Sequence, residues 1–397
     1  MLTEHMLKKN KLKITIVCDV LGEENNGTTI AAMNLIRYLR QAGHEVHVLC
    51  PDKTKKDLEG YYVVPTRSFG VFTGYIEKNG VSLAKADDKT VRAAINGSDV
   101  VHIMLPFTLG KKAIQVAKEM NIPITTGFHL LAENFSSHIF MKDAKFTNRL
   151  LYSYFHSAYK ECDAIHYPTQ YLRDLNEKMY GKTNGYVISN GVNDMFHPLP
   201  DKKPFDGIYR IVYTGRYSRE KSHKTLISGV ARSKYKDKIK LILAGDGPLK
   251  ESIKRRIDEE GINAEMNFFS REQLVRVLND AYLYVHAAEI EAEGIGCLEA
   301  IACGLVPVIC DSDRCATKSY ALTDKSLFKN RDPDDLAAKI DWWIEHPEKR
   351  AEYSEKYAAF ASDDLKQSEC MKKMENMLLE TARRFRGAHS RQEPNRP

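Results

Sequence analysis

The stretch "AYLYVHAAEIEAEGIGCLEAIACGLVPVIC", residues 281–310, holds an apolar strand pattern, a polar loop, a short helix pattern and a second apolar strand pattern. Strands that alternate with helices are typical of parallel sheets in α/β proteins. The loop carries Glu291 and the helix pattern carries Glu299, with Gly294 and Gly296 between them. The stretch therefore predicts a strand–loop–helix–strand unit with two carboxylates beside a turn rich in main-chain amides.

The same alternation extends in both directions along the chain. A first series of apolar runs includes "LKITIVCD", "HEVHVLCP", "SDVVHIML" and "IPITTGFH", and a second includes "YRIVYTG" and "IKLILAG". Between them lies "PLPDKKPFDG", residues 198–207, whose prolines and charges are typical of a linker. We predict two α/β domains, over residues 1–198 and 199–365, whose ligands bind beyond the carboxyl ends of the strands.

Composition restricts the class of protein. The 397 residues are 43% hydrophobic and carry a formal net charge of +6, which permits an anionic membrane surface or a phosphorylated ligand as partner and does not require nucleic acid. The eight cysteines form no C-x-x-C pair, so we expect buried thiols in a reducing cytosol. The amino-terminal residues lack the pattern of a secretory signal, and no apolar run is long enough to cross a bilayer.

Two loops that follow predicted strands could contact an anion. Gly27, before the first helix, would let the main chain approach a ligand, although an ordinary turn is an alternative and no complete G-x-G-x-x-G supports a nicotinamide-dependent dehydrogenase. Gly215 ends "YTG", and Arg216, Arg219 and Lys221 follow it in one loop. These cations are placed to hold a diphosphate, and a solvated basic loop fits the pattern equally well.

Two further turns carry weaker signals. Asn190 and Gly191 form a turn that fits either a ligand cleft or a plain connection. Asp246, in "AGDGPL", is interpreted first as a turn or cap residue.

The central stretch offers the most specific chemistry. Main-chain amides around Gly294, at the start of a helix, can receive a phosphate. Carboxylates accept hydrogen bonds from vicinal hydroxyls, so one glutamate could bind a sugar and the other a ribose. The resulting hypothesis is a nucleotide-sugar site. A capped helix with acids that face solvent is the alternative.

Together these motifs resemble the family-4 glycosyltransferases, in the order and spacing of "NNGTT", "ISNGVNDMFHP", "YTGRYSREKS", "LAGDGPL" and "EIEAEGIGCLEAIACGLVPVI". The resemblance covers nearly the whole chain and is strongest with a bacterial subgroup that includes diacylglycerol glucosyltransferases. It implies the GT-B fold, in which two Rossmann-like domains face a central cleft. Apolar stripes predict a C-terminal helix, residues 366–386, which we expect to pack back towards the first domain. Residues 387–397 are polar and lack periodicity, which predicts a disordered tail.

The resemblance implies an enzyme that transfers a hexose from a nucleotide sugar, UDP-glucose or a related UDP-sugar, with retention and without a bound metal or cofactor. Arg216 and Lys221 would neutralise the departing diphosphate, Glu299 would hold the ribose, and Glu291 and His129 would contact the transferred sugar. His129 also fits a core histidine. The implied nucleotide-sugar-binding set is Gly27, Asn190, Gly215, Arg216, Lys221, Glu291, Glu293, Gly294, Ile295 and Glu299, and the implied catalytic set is His129, Arg216, Lys221 and Glu291.

Several positions depart from the family pattern. The usual Lys-Gly is Lys221-Ser222, the usual Asp after Asn-Gly-Val is Asn193, and Glu293 replaces an aromatic residue or glycine. The usual Pro-Ser before the first glutamate is also replaced, by "AA" at residues 287–288. These departures concern the contacts with the donor. A GT-B nucleotide-sugar epimerase and a non-catalytic partner subunit remain alternative functions.

The acceptor is expected to be a lipid, a lipid-linked molecule or a glycan. The stretch "ENFSSHIFMKDAKFTNRLLYSYFHSAYK" mixes apolar residues with cations, which suits peripheral binding to the anionic inner face of the cell membrane. Its apolar members are Phe135, Ile139, Phe140, Met141, Phe146, Leu150, Leu151 and Phe155, and its cations include Lys142, Lys145 and Arg149. A core helix with a solvated basic side is the alternative.

Overall fold

The computed structural model describes residues 11–19, 27–66, 84–137, 144–202, 204–361 and 364–390. These residues form two compact units. Unit 1 draws on residues 1–130, 145–189 and 370–397, and unit 2 draws on residues 131–144 and 190–369.

Unit 1 is built on a parallel sheet. Its seven strands in the described residues have the order β3-β2-β1-β4-β5-β6-β7, and every recorded pair is parallel. They are Lys13–Val17 (β1), Glu45–Cys50 (β2), Tyr61–Val63 (β3), Val100–Ile103 (β4), Ile124–Gly127 (β5), Ala164–Tyr167 (β6) and Gly185–Val187 (β7). The central strands β4, β5 and β6 are buried along their length because helices cover both faces of the sheet.

The helices of unit 1 are amphipathic, with their buried residues at helical spacing. They are Gly27–Gln41 (α1), Asp88–Ile95 (α2), Thr108–Glu119 (α3), Lys145–Tyr159 (α5) and Gln170–Tyr180 (α6). Ala132–Ser137 (α4) follows β5 and belongs to unit 2.

The last helix, Gln367–Ser390 (α13), contributes most of its length to unit 1. Its apolar side, with Met374 and Leu378, is buried in the same core as Leu35. Glu375 accepts hydrogen bonds from Tyr38 Oη at 3.0 Å and from His44 Nε2 at 2.9 Å. The ring of His44 donates through Nε2 because its Nδ1 accepts from the main-chain N–H of Leu12 at 3.0 Å. The helix runs four residues into the predicted tail, and residues 391–397 lie outside the described residues.

Unit 2 has a parallel sheet of six strands in its described residues, in the order β10-β9-β8-β11-β12-β13. The strands are Tyr209–Thr214 (β8), Ile239–Ala244 (β9), Ala264–Asn267 (β10), Leu283–His286 (β11), Pro307–Asp311 (β12) and Leu327–Lys329 (β13). The helices are His223–Arg232 (α7), Lys250–Glu260 (α8), Arg271–Asn279 (α9), Ile295–Ala302 (α10), Pro333–Glu345 (α11) and Pro347–Phe360 (α12). The prediction of two Rossmann-like α/β domains with C-terminal helices is confirmed.

The strand order of unit 2 brings three loops to one edge of the sheet. β8 lies between β9 and β11, and all three strands are parallel. The loops that follow them, residues 215–222, 245–249 and 287–294, therefore leave the same edge. Glycine is required where two of these loops meet, because a Cβ at Gly245 would lie 2.0 Å from the carbonyl oxygen of Gly215.

No helix in the described part of the chain combines the length and the apolar character needed to cross a membrane.

Candidate functional site

A buried ion pair lies at this edge of unit 2. The ammonium of Lys221 donates to Glu291 Oε2, and the two side chains are only 18% and 15% exposed. Burial lowers the pKa of Lys221, but the Glu291 carboxylate outweighs burial and raises that pKa. Burial raises the pKa of Glu291, but the Lys221 charge outweighs it and holds that pKa below its usual range. Both groups are therefore charged at neutral pH.

His286, the last residue of β11, lies beside this pair. Its Nε2 is 3.7 Å from Glu291 Oε2. Burial lowers the pKa of His286 to about 4, so the ring is neutral at pH 7. Neither ring nitrogen has a hydrogen-bond partner among the described residues.

Arg216 occupies the loop that also carries Lys221. Gly215 directly follows β8, and its main-chain N–H donates to the carbonyl of Ala244 at 3.0 Å. Arg216 comes next and is partly buried. Burial lowers the pKa of the Arg216 guanidinium, and the charge of Glu220 opposes this shift. The loop therefore presents Arg216 and Lys221, both partly buried, and the exposed Arg219 beyond the carboxyl end of β8.

The start of α10 is shaped by glycine. Gly294 has φ 77°, and a Cβ there would lie 2.3 Å from Thr317 Cγ2. A Cβ at Gly296 would lie 2.1 Å from Thr214 Oγ1 at the end of β8. Because these glycines permit close packing, the helix begins at Ile295 directly beside the strand ends. The first amides of a helix have no acceptor within the helix and can bind an anion.

Glu299 lies inside α10 and is 3% exposed. Arg271 Nη1 is 2.7 Å from Glu299 Oε1, and the Arg271 guanidinium also lies 4.7 Å from the centre of the Phe196 ring. At this distance Arg271 and Glu299 form an ion pair in which the carboxylate is buried. Burial raises the pKa of Glu299, and Arg271 partly offsets that rise.

Glu293 binds the turn at Asn190. The main-chain N–H of Asn190 donates to Glu293 Oε1 at 2.9 Å, and its side-chain amide donates to Glu293 Oε2. Tyr320 Oη donates to the carbonyl of Glu293 at 2.8 Å. Glu293 is 4% exposed, so its carboxylate is used within the protein. The structure thus brings together two residues of the implied nucleotide-sugar set that are more than a hundred positions apart.

His129 and Gly27 belong to unit 1. His129 follows β5 and is 9% exposed, and burial lowers its pKa well below the usual range. Its ring contacts that of His166 edge-on, with centroids 5.1 Å apart, and its Nε2 has no hydrogen-bond partner among the described residues. Gly27 is the first residue of α1, and nothing lies within 4 Å of a Cβ built there.

A second buried histidine fixes the surroundings of His129. His166 Nε2 donates to the carbonyl of Ile188 at 2.6 Å, and burial lowers the pKa of His166 to about 4. The histidines at this edge of unit 1 are therefore neutral hydrogen-bonding groups at pH 7. Among the described residues, no group of three or more His, Cys, Asp and Glu side chains could hold a metal ion.

Sequence reasoning missed the residues that hold this site in place. Glu289 and Arg271 were assigned no role, although Glu289 lies in the same loop as Glu291. The first acid of "EIEAE", Glu289, could have signalled such support. Its partners, Arg314 and Arg331, follow the later strands β12 and β13, and only the sheet order brings them near.

Two family models match this amino-acid sequence. The model "Glycosyltransferase Family 4" matches residues 25–195, and "Glycosyl transferases group 1" matches residues 199–359. Together they cover both series of strands.

The chain is similar to two enzymes of known activity. The α-monoglucosyldiacylglycerol synthase of Streptococcus pneumoniae is 23% identical, over 75% of this chain and 70% of that protein. The GDP-mannose-dependent α-mannosyltransferase of Corynebacterium glutamicum is 23% identical, over 75% of this chain and 72% of that protein.

A solved structure extends the comparison to the fold. The sucrose-phosphate synthase of Thermosynechococcus elongatus superposes with a TM-score of 0.76 at 16% identity, over 94% of this chain and 99% of that structure. At this identity the likeness concerns the fold alone.

Proposed function

This chain belongs to the family-4, group 1 glycosyltransferases, enzymes that transfer a sugar from a nucleotide sugar, and we propose that it moves a glucosyl group from UDP-glucose to a lipid acceptor with retention of configuration. The observation that carries the proposal is the buried Lys221–Glu291 pair beside the start of α10. One edge of unit 2 thereby offers a fixed cation, the amino-terminal end of α10 and a charged carboxylate, which are the groups needed by a diphosphate and a sugar.

In the proposed reaction the bond between the anomeric carbon and the diphosphate oxygen breaks. The acceptor hydroxyl forms the new bond on the same face of the sugar, and its proton passes to the departing phosphate. Negative charge grows on the diphosphate as its bond breaks. Lys221 and Arg216 stabilise that charge, and α10 adds the amides and the positive end of its dipole. No protein side chain is then required as a base.

The remaining groups position the donor. Glu299 accepts hydrogen bonds from the ribose hydroxyls through its carboxylate, which the ion pair with Arg271 holds in place. Glu291 and the neutral His129 contact the transferred sugar. Both ring nitrogens of His286 and Nε2 of His129, which have no hydrogen-bond partner among the described residues, offer further polar contacts. These groups hold the anomeric carbon where the acceptor can reach it, which lowers the entropic part of the barrier.

A helical surface supports a lipid acceptor at a membrane. In α5, Phe146, Leu150 and Tyr154 are 75%, 56% and 42% exposed. Their spacing of four residues places them on one face, and the cations Lys145 and Arg149 are exposed beside them. An apolar stripe with flanking cations suits an anionic lipid surface.

Not every residue of the predicted apolar face is available for this contact. Phe155 is 1% exposed and packs edge-on against Phe107, with ring centroids 6.0 Å apart. Leu151 is partly buried. The predicted Ile139, Phe140, Met141 and Lys142 lie outside the described residues, and the side chain of Phe135 does as well.

The test of activity combines labelled donors with a lipid extract. The expected result is a labelled glycolipid from UDP-glucose, with GDP-mannose tested beside it because one relative is a GDP-mannose-dependent mannosyltransferase. A converted sugar nucleotide formed without acceptor would indicate an epimerase. Donor binding without any product would indicate a non-catalytic subunit.

The test of membrane binding uses sedimentation with vesicles. We expect binding to anionic vesicles at low salt that weakens at high salt, since each cation near such a surface contributes about 1 kcal/mol. Phe146→Ser combined with Leu150→Ser should reduce binding. Leu58→Ser is the matched control, because Leu58 is 51% exposed and lies outside the stripe. Efficient transfer to a soluble sugar, with no binding to anionic vesicles, would contradict the lipid acceptor.

A further inference from the structure

We propose that Glu289 is a positioning residue for the transfer reaction, because its buried carboxylate holds the loop that carries Lys221. The inference rests on the proposed function, in which Lys221 neutralises the departing diphosphate. Glu289 is 5% exposed and precedes Glu291 by two residues. Its side chain contacts three other segments of unit 2, which meet only in the folded protein.

On one side, Glu289 anchors the main chain before and after Lys221. The main-chain N–H of Glu289 donates to the carbonyl of Glu220 at 2.8 Å. Ser222 Oγ donates to Glu289 Oε1 at 3.1 Å. Lys221 lies between these two anchored residues, so its main chain cannot shift without breaking a contact with Glu289.

On the other side, Glu289 fixes the partner of Lys221. Its Oε2 lies 2.7 Å from Arg331 Nη2 and 3.6 Å from Arg314 Nη2. The carbonyl of Arg314 accepts the main-chain N–H of Glu291 at 3.1 Å. Two guanidinium charges compensate the burial of the Glu289 carboxylate. One carboxylate therefore links the segments that carry both Lys221 and Glu291.

Backbone conformation supports a positioning role. The described residues include three non-glycine positions with positive φ, which are Asn121, Ser222 at 52° and Arg331 at 62°. Ser222 and Arg331 both contact the carboxylate of Glu289. A left-handed conformation is unfavourable for residues with a Cβ and persists only where the surroundings hold it. Ser222 directly precedes α7, but its side chain does not cap the helix. Its hydroxyl donates to Glu289 instead.

The test measures kcat and donor KM for Glu289→Gln, which keeps the size of the side chain and removes its charge. The two arginines lose their counter-charge and the strained loop can relax. We expect kcat to fall about tenfold with donor KM within about twofold. The reason is that loss of the Glu289 charge loosens the loop that positions Lys221, and Lys221 acts on the transition state. Adding Ser222→Gly removes the backbone strain, since glycine adopts positive φ freely, and should return kcat to within about threefold of wild type.

Asp341→Asn is the matched control for a buried carboxylate that a serine contacts. Asp341 is 5% exposed and accepts hydrogen bonds from Ser233 Oγ and from the main-chain N–H of Lys234 at 3.2 Å. Ser233 follows α7, which leads to the amino end of β9, so this contact lies at the opposite edge of the sheet. The control should lower the urea midpoint of unfolding and leave kcat unchanged.

Two results would overturn the positioning role. One is a Glu289→Gln variant whose kcat matches that of Asp341→Asn, and the other is no recovery of kcat on adding Ser222→Gly. Turnover of Lys221→Met, measured in the same assay, distinguishes a failure of the role of Glu289 from a failure of the role of Lys221. Normal turnover by Lys221→Met would reject the proposed role of Lys221 itself. Loss of turnover in Lys221→Met with normal turnover in Glu289→Gln would reject only the role of Glu289.

Discussion

Replacement of Lys221 by methionine should affect stability and turnover through separate mechanisms. The substitution keeps an unbranched side chain and removes the charge, which leaves Glu291 buried without its ammonium partner. Removal of one partner from a buried pair costs about 3–5 kcal/mol, and the residual 15–18% exposure of this pair places the expected loss near the lower figure, about 3 kcal/mol. Turnover should fall about a hundredfold because the diphosphate loses a cation.

A second substitution separates the two effects. Glu291→Gln, added to Lys221→Met, removes the unpaired charge and should recover most of the free energy of unfolding, while turnover stays low. Urea unfolding followed by circular dichroism measures stability, and initial rates with labelled donor measure turnover. Failure of the double variant to regain stability would refute the argument that the buried pair governs it.

The pH dependence provides a further check on the same variant. In the wild type, the lowered pKa of Glu291 means that its contribution to stability is present above the unfolded pKa of 4.5 and is lost as pH falls through the folded value. In Lys221→Met the charge that opposes burial most strongly is gone, so burial raises the pKa of Glu291 relative to the wild type and the variant is destabilised at neutral pH. The stability difference should therefore narrow as pH falls towards 4.5. A constant difference across this range would contradict the assignment.

Other perturbations test the remaining groups. Glu299→Gln should weaken UDP binding about tenfold or more in calorimetry, because a charged hydrogen bond contributes about 1.5–3 kcal/mol. The affinity of the wild type for UDP should fall as pH drops through the raised pKa of Glu299, because the carboxylate then loses its charge. Arg216→Ala should reduce turnover about a hundredfold and leave the circular dichroism spectrum unchanged. Gly296→Ala should lower the free energy of unfolding by about 1–3 kcal/mol, since the new Cβ would lie 2.1 Å from Thr214 Oγ1. Activity should persist in EDTA, and a complete loss that magnesium or manganese restores would contradict transfer without a metal.

The local pattern of the sequence was sufficient to predict the elements around the site. "AYLYVHA" predicted a strand that the structure places at Leu283–His286, and the helix containing Glu299 begins at Ile295 after the glycine turn. Such elements follow from apolar periodicity and from glycine, which act over a few residues. The family was also identifiable, because its motifs are short segments whose order survives along the chain.

The sequence could not predict the contacts between segments that lie far apart in the chain. The spacing of Lys221 and Glu291 gives no indication that they form a buried pair, and Glu289 resembles any polar loop residue until Arg314 and Arg331 approach it. These contacts depend on the sheet order, in which β8 lies beside β11 and β11 lies beside β12. Burial then decides whether each group is charged. Removal of water strengthens the attraction within an ion pair, and it makes the charged form of an unpaired group unfavourable. Short-range patterns in the chain are therefore enough to predict the elements, the family and the candidate residues. Which of those residues form ion pairs, and which residues support them, depends on how the strands are ordered in the sheet.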